Sequence, residues 1–431
     1  MSWINVNEVP LIIIKNMKQK NSGSDQGLKL QARSKYNFKE LSQIGLTLFG
    51  SSFGSGTMQY PSKFSSLGLL TFSFFLIFSI AVNYNIHCFL IEIADKHGFT
   101  SFSQVADLMP IKKFNVFLSM MFVISFFFRL LSSLSSINFF LPNIIKGNFA
   151  VYNKFINENS LMFMVGFILL LSPVFIQKKL KKISWLVYLN VFTCIFIFAW
   201  FHQEISKGVL AKFPLIEYST KASLHFSYMM SSFPLQGNIM GLYNELTPPS
   251  KKIIKKVILV YMGCMGLLLY SLSILATLIF GDNPKLKEEI FIRLNGNSSL
   301  GIVVKFLFLF ICLNSFIFAF KPFKDNFRTF ISLMSPTFNT HSRETIFEPQ
   351  NLSVTILLLS LLLSIAGYTT IKNIKFEVFS QLNSEIVFSF VFLMTPLYLM
   401  FKSSKNKLLP GLLTLFTILP IFNIGLRFFI I

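Results

Sequence analysis

The residues whose types and spacing point most directly to chemistry form one short stretch, Gly54-Ser55-Gly56-Thr57, which interrupts a long apolar region. Glycine is a poor residue for a helix interior because its unfolded backbone is so free. In a bilayer, backbone groups left unpaired by a broken helix are tolerated only where they face protein or a wet cavity. The stretch therefore predicts two half-helices that meet at a binding site near the membrane midplane.

The two half-helices would offer opposite chemistry to a ligand. The half that ends near Phe53 would present free carbonyls to a cation. The half that begins near Thr57 would present free N–H groups, and the positive end of its dipole, to a carboxylate. An alternative is open at this point, because Gly50 and Gly54 have the four-residue spacing that lets two membrane helices pack closely.

The composition is that of an integral membrane protein. The chain has 431 residues, of which 53% are hydrophobic, and apolar runs of membrane-spanning length recur along it. The net charge of +21 would suggest nucleic-acid binding in a soluble protein, but no nucleic-acid motif accompanies it. The lysines are instead expected in cytoplasmic loops between membrane spans. We therefore expect the chain to lie in a lipid bilayer and to bind no nucleic acid.

The motifs of common enzymes are missing from the sequence. There is no phosphate-binding loop for ATP, no nucleophile elbow and no zinc-helix motif, so we expect no catalytic residue, cofactor or metal. The cysteines lie singly inside apolar runs and predict neither a metal site nor a disulfide; they are Cys88, Cys194, Cys264 and Cys312.

Eleven membrane-spanning helices are expected, in an all-α polytopic fold. Their approximate ranges are 40–64, 67–92, 114–142, 161–177, 183–203, 223–246, 257–280, 301–320, 352–371, 384–401 and 407–430. Residues 1–39 form a basic tail that we expect to be disordered. Placing the N-terminus in the cytoplasm puts about twice as many Lys and Arg residues inside as outside, which is the usual orientation.

A second interruption supports the broken-helix interpretation of the first. Span six contains Phe233-Pro234-Leu235-Gln236-Gly237-Asn238, marked by a proline and a glycine. Spans one and six are the first members of two groups of five, 40–203 and 223–401, that start from opposite sides of the membrane, with 407–431 as an extra helix. Interrupted helices at matching places in two inverted halves indicate a transporter binding site.

Four motifs in consistent order then suggest a family. They are Gly54 through Pro61, Phe233 through Asn238 with Leu242 through Leu246 and Ser250 through Lys252, Phe280-Gly281-Asp282, and Pro322 through Asp325. Over about 40–330 the chain resembles the amino acid/auxin permease family of the amino acid–polyamine–organocation superfamily. The resemblance implies a transporter of amino acids.

Two departures from the family pattern bear on the coupling ion. The histidine of the family's span-six motif is Gln236 here, and an asparagine that helps to hold sodium in many members is replaced by Gly50. The hydroxyl of span eight that would complete such a site is kept as Ser315. Because Gly50 offers only its carbonyl to a cation, proton coupling or facilitated exchange is expected rather than sodium coupling, with a proton as the favoured coupling ion.

The expected substrate site combines the two interruptions with Arg129 of span three. The N–H groups of Gly54 through Thr57 would bind a carboxylate, bulky Phe233 could gate the site, and Gln236 and Asn238 could meet the amino group, unless Pro234 merely kinks a packed helix.

Further polar residues leave alternatives open. Ser315 and Asn314 could contact an ion or form hydrogen bonds between helices. Arg129 in span three could hold an acidic substrate or a carboxylate, or pair with a buried acid.

These observations predict a secondary transporter of amino acids that works by alternating access. The alternative is an amino-acid-binding sensor that has the fold of a transporter. The membrane would be the plasma membrane or a vacuolar or lysosomal one.

Overall fold

The computed structural model describes the helical core of the chain. The described residues are 38–54, 57, 59–99, 102–110, 114–148, 162, 165–166, 168, 186–207, 215–217, 222–230, 233, 236–246, 250–280, 299–334, 350–371 and 394–403. The predicted tail 1–39 and the predicted eleventh span lie almost wholly outside this set. The chain divides into two units at Ser42, and the account below concerns the second of them, from Gln43 onward.

Ten α-helices and one short 3-10 helix make up the described structure. In chain order the α-helices are α1 (Phe38–Ser52), α2 (Tyr60–His97), α3 (Phe114–Asn148), α4 (Val187–Ile205), α5 (Ala222–Met230), α6 (Gln236–Asn244), α7 (Lys251–Phe280), α8 (Ser299–Met334), α9 (Gln350–Ile371) and α10 (Met394–Ser403). No strand occurs in the described ranges. The all-α prediction is confirmed.

Several helices have the length and composition of membrane spans. Within the described residues, four apolar helical segments are long enough to cross a bilayer; they are Tyr60–His97, Phe114–Asn138, Lys251–Phe280 and Leu300–Met334. The predicted spans two, three, seven and eight correspond to these helices. The predicted total of eleven includes spans that lie largely outside the described residues, so the count stays a prediction.

The helices pack in two groups. Helix α2 packs against α5, α6 and α7, whereas α3 packs against α8 and α9, and α8 also packs against α4. Helix α4 also contacts α7, where Trp200 stacks on Phe280, so the two groups touch each other. The first group is tied together at one end by ion pairs from α7 to the end of α2, Lys251 to Asp95 at 2.9 Å and Lys255 to Glu92 at 2.5 Å. These pairs are exposed to solvent, so they contribute little to stability. Most of the cohesion must come from apolar packing.

Helix α2 contains a sharp bend that separates two of the predicted spans. At Gly68 the backbone has φ 72° and ψ 170°, a conformation that essentially only glycine populates. The residues before it, from Tyr60, therefore complete the interrupted first span, and those after it form the second. The predicted boundary between the spans, 64–67, lies within a few residues of this bend.

A short segment crosses the bend and pairs with it on both sides. The Leu70 N–H donates to the Leu215 carbonyl at 3.0 Å, and the Glu217 N–H donates to the Leu67 carbonyl at 3.2 Å. We call residues 215–217 the strap. The strap satisfies backbone groups that the bend removes from the helical ladder. It lies so close that a Cβ added at Gly68 would come within 2.8 Å of the Glu217 nitrogen.

Candidate substrate-binding site

The first predicted interruption is present in the structure. Helix α1 ends at Ser52 and α2 begins at Tyr60, and the Phe53 N–H still donates to the Phe49 carbonyl at 2.8 Å. The helical ladder then stops, because the Gly54 N–H donates to the Thr57 hydroxyl at 3.2 Å instead of to the Gly50 carbonyl one turn back. The carbonyl of Gly50 therefore loses the Gly54 N–H as its helical partner, as expected at the end of a helix.

The N–H groups predicted to bind a carboxylate are partly occupied. The Gly54 N–H is held by Thr57, and the Thr57 N–H donates to the Gly54 carbonyl at 3.0 Å. Ser55 and Gly56, the other two residues of the prediction, lie outside the described residues. A carboxylate at this break would have to use their N–H groups or displace the bonds between Gly54 and Thr57.

The second predicted interruption is also present. Helix α5 ends at Met230 and α6 begins at Gln236, with Phe233 completely buried between them. Gln236 is the first residue of α6, and its side chain is not among the described ones. Asn238 lies in the first turn of α6, is almost fully buried, and its amide donates to the Ser51 hydroxyl at 3.2 Å.

This hydrogen bond joins the two interrupted helices. Ser51 lies in the last turn of α1, and its hydroxyl also donates to the Thr47 carbonyl at 2.8 Å. The structure therefore brings Asn238 to the carbonyl end of the first half-helix. This juxtaposition of the two breaks is what a shared binding site requires.

Arg129 reaches the same point from α3. Its guanidinium donates to the Ser51 carbonyl, and the residue is only partly buried although it lies in the middle of a membrane helix. Among the described residues, no carboxylate is hydrogen-bonded or ion-paired to it. Of the two alternatives left open by the sequence, the described structure gives no support to a buried acid as its partner. The contact observed is with a backbone carbonyl.

Ser315 on α8 lies directly against the first break. A Cβ added at Gly54 would come within 2.5 Å of the Ser315 hydroxyl oxygen. The Ser133 hydroxyl of α3 is 3.4 Å from the Ser315 hydroxyl and donates to the Arg129 carbonyl at 3.1 Å. Hydroxyls from two helices thus surround the break, next to the carbonyl end of α1.

Asn314, the neighbour of Ser315, is used differently. Its amide donates to the Leu186 carbonyl at 2.8 Å and to the Asn190 side-chain oxygen at 2.7 Å, both at the start of α4. These bonds connect α8 to α4 and correspond to the interhelical alternative. Both amide hydrogens of Asn314 are therefore occupied in this structure.

Gly50 lies at the end of α1 and also lets this helix pack closely against its neighbours. A Cβ added there would meet Val187 Cγ2 at 2.5 Å and Phe318 Cε2 at 2.6 Å, from α4 and α8. The two interpretations of the glycine stretch are thus compatible, because small residues let α1 approach its neighbours where its ladder ends.

We predict that Gly50→Ala lowers stability by about 1–3 kcal/mol, the usual cost of overpacking a buried site. Gly45→Ala is the matched control on the same helix, because its Cβ would lie 3.9 Å from Val257 Cγ1, an ordinary contact. The measurement is the apparent melting temperature of both variants in detergent. Equal melting temperatures for the two variants would contradict the close packing at Gly50.

Comparison with known proteins identifies the family. The family model described as transmembrane amino acid transporter protein matches residues 41–431, which is nearly all of the chain beyond the tail. The chain belongs to this family. No curated protein matches the sequence. Membership in this amino acid transporter family confirms the resemblance inferred from the four motifs, and the family is one of membrane transporters rather than enzymes.

Solved structures with the same fold are also membrane transporters. A Na⁺-coupled sialic acid symporter in a substrate-bound, outward-open state is 11% identical and has a TM-score of 0.54, over 90% of this chain and 92% of that one. A manganese transporter from Eremococcus coleocola is 12% identical and has a TM-score of 0.55, over 90% of this chain and 86% of that one. At such low identity the likeness concerns the fold alone.

Three residues of this site in the transporter were not singled out from the sequence. Ser51 is contacted by both Asn238 and Arg129, Ser133 links Arg129 to Ser315, and Tyr261 of α7 lies close to Arg129 and Ser52. Ser51 lies within the glycine-rich stretch, where its position could have drawn attention. Nothing in the local sequence marks Ser133 or Tyr261, since both lie in ordinary apolar helices.

Proposed function

We propose that this chain is a secondary transporter of amino acids, with its substrate bound between the two helix breaks. The observation that carries the proposal is the Asn238–Ser51 hydrogen bond, because it joins the second break to the end of the first. Peptide groups freed from helical bonding at such a place can bind a small zwitterion from both ends. The family supports an amino acid as the substrate.

The proposed roles of the residues follow from their positions. The substrate carboxylate binds N–H groups of the break from Gly54 through Thr57, chiefly those of Ser55 and Gly56. The Gly54 N–H already donates to the Thr57 hydroxyl, and the Thr57 N–H to the Gly54 carbonyl. Phe233 closes the site from the second break, where it is completely buried. Asn238 and Gln236 meet the amino group. Arg129 keeps N–H donors beyond the one given to Ser51, and these can reach a carboxylate.

The grouping of the helices supports a mechanism of alternating access. The first break is connected to both groups, through Asn238 of α6 and through Arg129 of α3. A rocking motion of α2, α5, α6 and α7 against α3, α4 and α8 would open the site to one side at a time. We propose that the N-terminus is cytoplasmic, as the charge asymmetry indicates, and that a proton is the coupling ion.

The test is uptake of a panel of labelled amino acids into vesicles that contain the purified protein. Uptake is measured with an imposed proton gradient, with an imposed sodium gradient and with neither. We expect at least one amino acid to accumulate, and to do so most strongly with the proton gradient. Binding of an amino acid without uptake under any gradient would contradict transport and favour the alternative of a membrane sensor.

A further inference from the structure

We propose that Arg129 is a built-in cation of the first helix break, and that its guanidinium takes the place that a sodium ion would otherwise occupy. This inference rests on the proposed function, and it concerns how the site is charged rather than what is transported. It predicts that this transporter neither binds nor needs sodium at the break.

The end of α1 has the character of a cation site. The Gly54 N–H, which would bond the Gly50 carbonyl in a continued helix, is turned toward Thr57 instead. The last carbonyls of a helix also carry the negative end of its dipole, which favours a positive charge within about one turn. The carbonyls of Gly50 and Ser51 lie in this last turn of α1, at the negative end of its dipole.

Hydroxyl groups complete the set of oxygen atoms around this place. Ser315 lies against Gly54, and Ser133 is 3.4 Å from Ser315 on the opposite helix. Carbonyl and hydroxyl oxygens are the neutral ligands that hard cations prefer in proteins. By composition alone this arrangement would suit a monovalent metal ion. In the structure it is next to a guanidinium instead.

Arg129 brings its positive charge to this place on a rigid helix. Its guanidinium donates to the Ser51 carbonyl. Ser133, one turn further along α3, donates to the Arg129 backbone carbonyl, so the hydroxyl pair lies on the adjacent turn of the same helix. Within the described residues no carboxylate neutralises it. The helix end is therefore the observed source of negative potential for a guanidinium at bilayer depth.

A second cation at the same place would be repelled. Like charges a few ångströms apart disfavour each other strongly where water is scarce. Among the described residues, no cluster of three or more acidic, histidine or cysteine side chains is present that could hold a further cation. The guanidinium thus stabilises the broken helix at all times. A sodium ion would stabilise it only while bound.

The experiment uses the purified full-length protein and has two readouts. The melting temperature is measured in sodium chloride and in choline chloride at equal ionic strength, and uptake is measured in the same two salts. For the wild type we expect equal melting temperatures and uptake that differs by less than about twofold, whereas coupling to a bound ion would change it by about fivefold or more.

The informative variant is Arg129→Gln, which keeps hydrogen-bond donors and removes the charge. Sodium should then raise its melting temperature by several degrees, because the vacated place can bind the ion. Lys305→Gln is the control, since Lys305 is also buried in the same group of helices but lies ten residues from Ser315, and it should stay indifferent to sodium. Where Arg129→Gln does not fold, Arg129→Met replaces it as the variant of similar length without charge.

Two outcomes would overturn the inference. One is a wild type that sodium stabilises or activates, and the other is a folded Arg129→Gln that remains as indifferent to sodium as the wild type. Absence of uptake in every salt would contradict the proposed function instead. The melting temperatures would still decide the role of Arg129 in that case, so the two failures can be distinguished.

Discussion

We expect Gly54→Leu to lower amino acid uptake by about a hundredfold or more while the protein still inserts into the membrane. The physical reason is that position 54 has no room for a side chain, since even a Cβ would lie 2.5 Å from Ser315 Oγ and 2.9 Å from Ser315 Cβ. A leucine must push α8 away or move the break, and displacing groups that position a ligand by about 1 Å costs on the order of a hundredfold. The measurement is initial uptake rate, normalised to protein in the vesicles.

Gly54→Ala, alone and combined with Ser315→Gly, tests whether the steric clash causes the loss rather than a general loss of folding. Gly54→Ala alone should lower the melting temperature, because the clash costs about 1–3 kcal/mol. Combining it with Ser315→Gly removes both short contacts and should recover most of the loss, apart from about 0.5–1 kcal/mol for a glycine inside α8. Gly241→Ala in α6, where a Cβ would meet nothing within 4 Å, is the control.

Uptake by Gly54→Leu at the wild-type rate would refute the placement of the site.

Gly68→Ala should be among the most destabilising single substitutions in the chain, at about 3 kcal/mol or more. Two costs add. The backbone at φ 72° and ψ 170° is strained for any residue with a Cβ, by about 1–3 kcal/mol. The new Cβ would also lie 2.8 Å from the Glu217 nitrogen and 2.9 Å from the Ile216 Cα, and backbone atoms of the strap cannot rotate away. The measurement is the melting temperature in detergent.

Gly98 provides the control for this substitution. It also has a positive φ, 69°, but its ψ of 24° lies in the ordinary left-handed region, and nothing lies within 4 Å of an added Cβ. Gly98→Asn should therefore cost little, because asparagine tolerates that conformation. If Gly68→Ala and Gly98→Asn melt at the same temperature as the wild type, the contact between the strap and the bend is not a stabilising one.

The interruptions were predictable because their signals are local. Glycine and proline disfavour a helix through their own backbones, whatever surrounds them. Such residues occur at 54 and 56 and within 233–238, and the helices before them end at Ser52 and at Met230. The boundary between spans one and two was also predictable from hydropathy, although the sequence did not single out Gly68 as the bend.

The partners of the polar residues were not predictable in the same way. Arg129 is marked as unusual by its position in an apolar helix, but its contact with the Ser51 carbonyl depends on how α3 packs beside α1. The same holds for Asn314, whose two donors go to α4 while its neighbour Ser315 faces Gly54. Adjacent residues on a helix point in directions about 100° apart, so only the packing of neighbouring helices decides which one lines the site.

Counterflow in proteoliposomes is the most direct test that a substrate site between the two breaks is exposed alternately to each side. Purified protein is reconstituted with an unlabelled amino acid inside, and entry of the labelled amino acid is followed without any imposed ion gradient. We predict a transient overshoot of label for the wild type and none for Gly54→Leu. A wild type that binds the amino acid but gives no overshoot, or an equal overshoot from both proteins, would contradict the account.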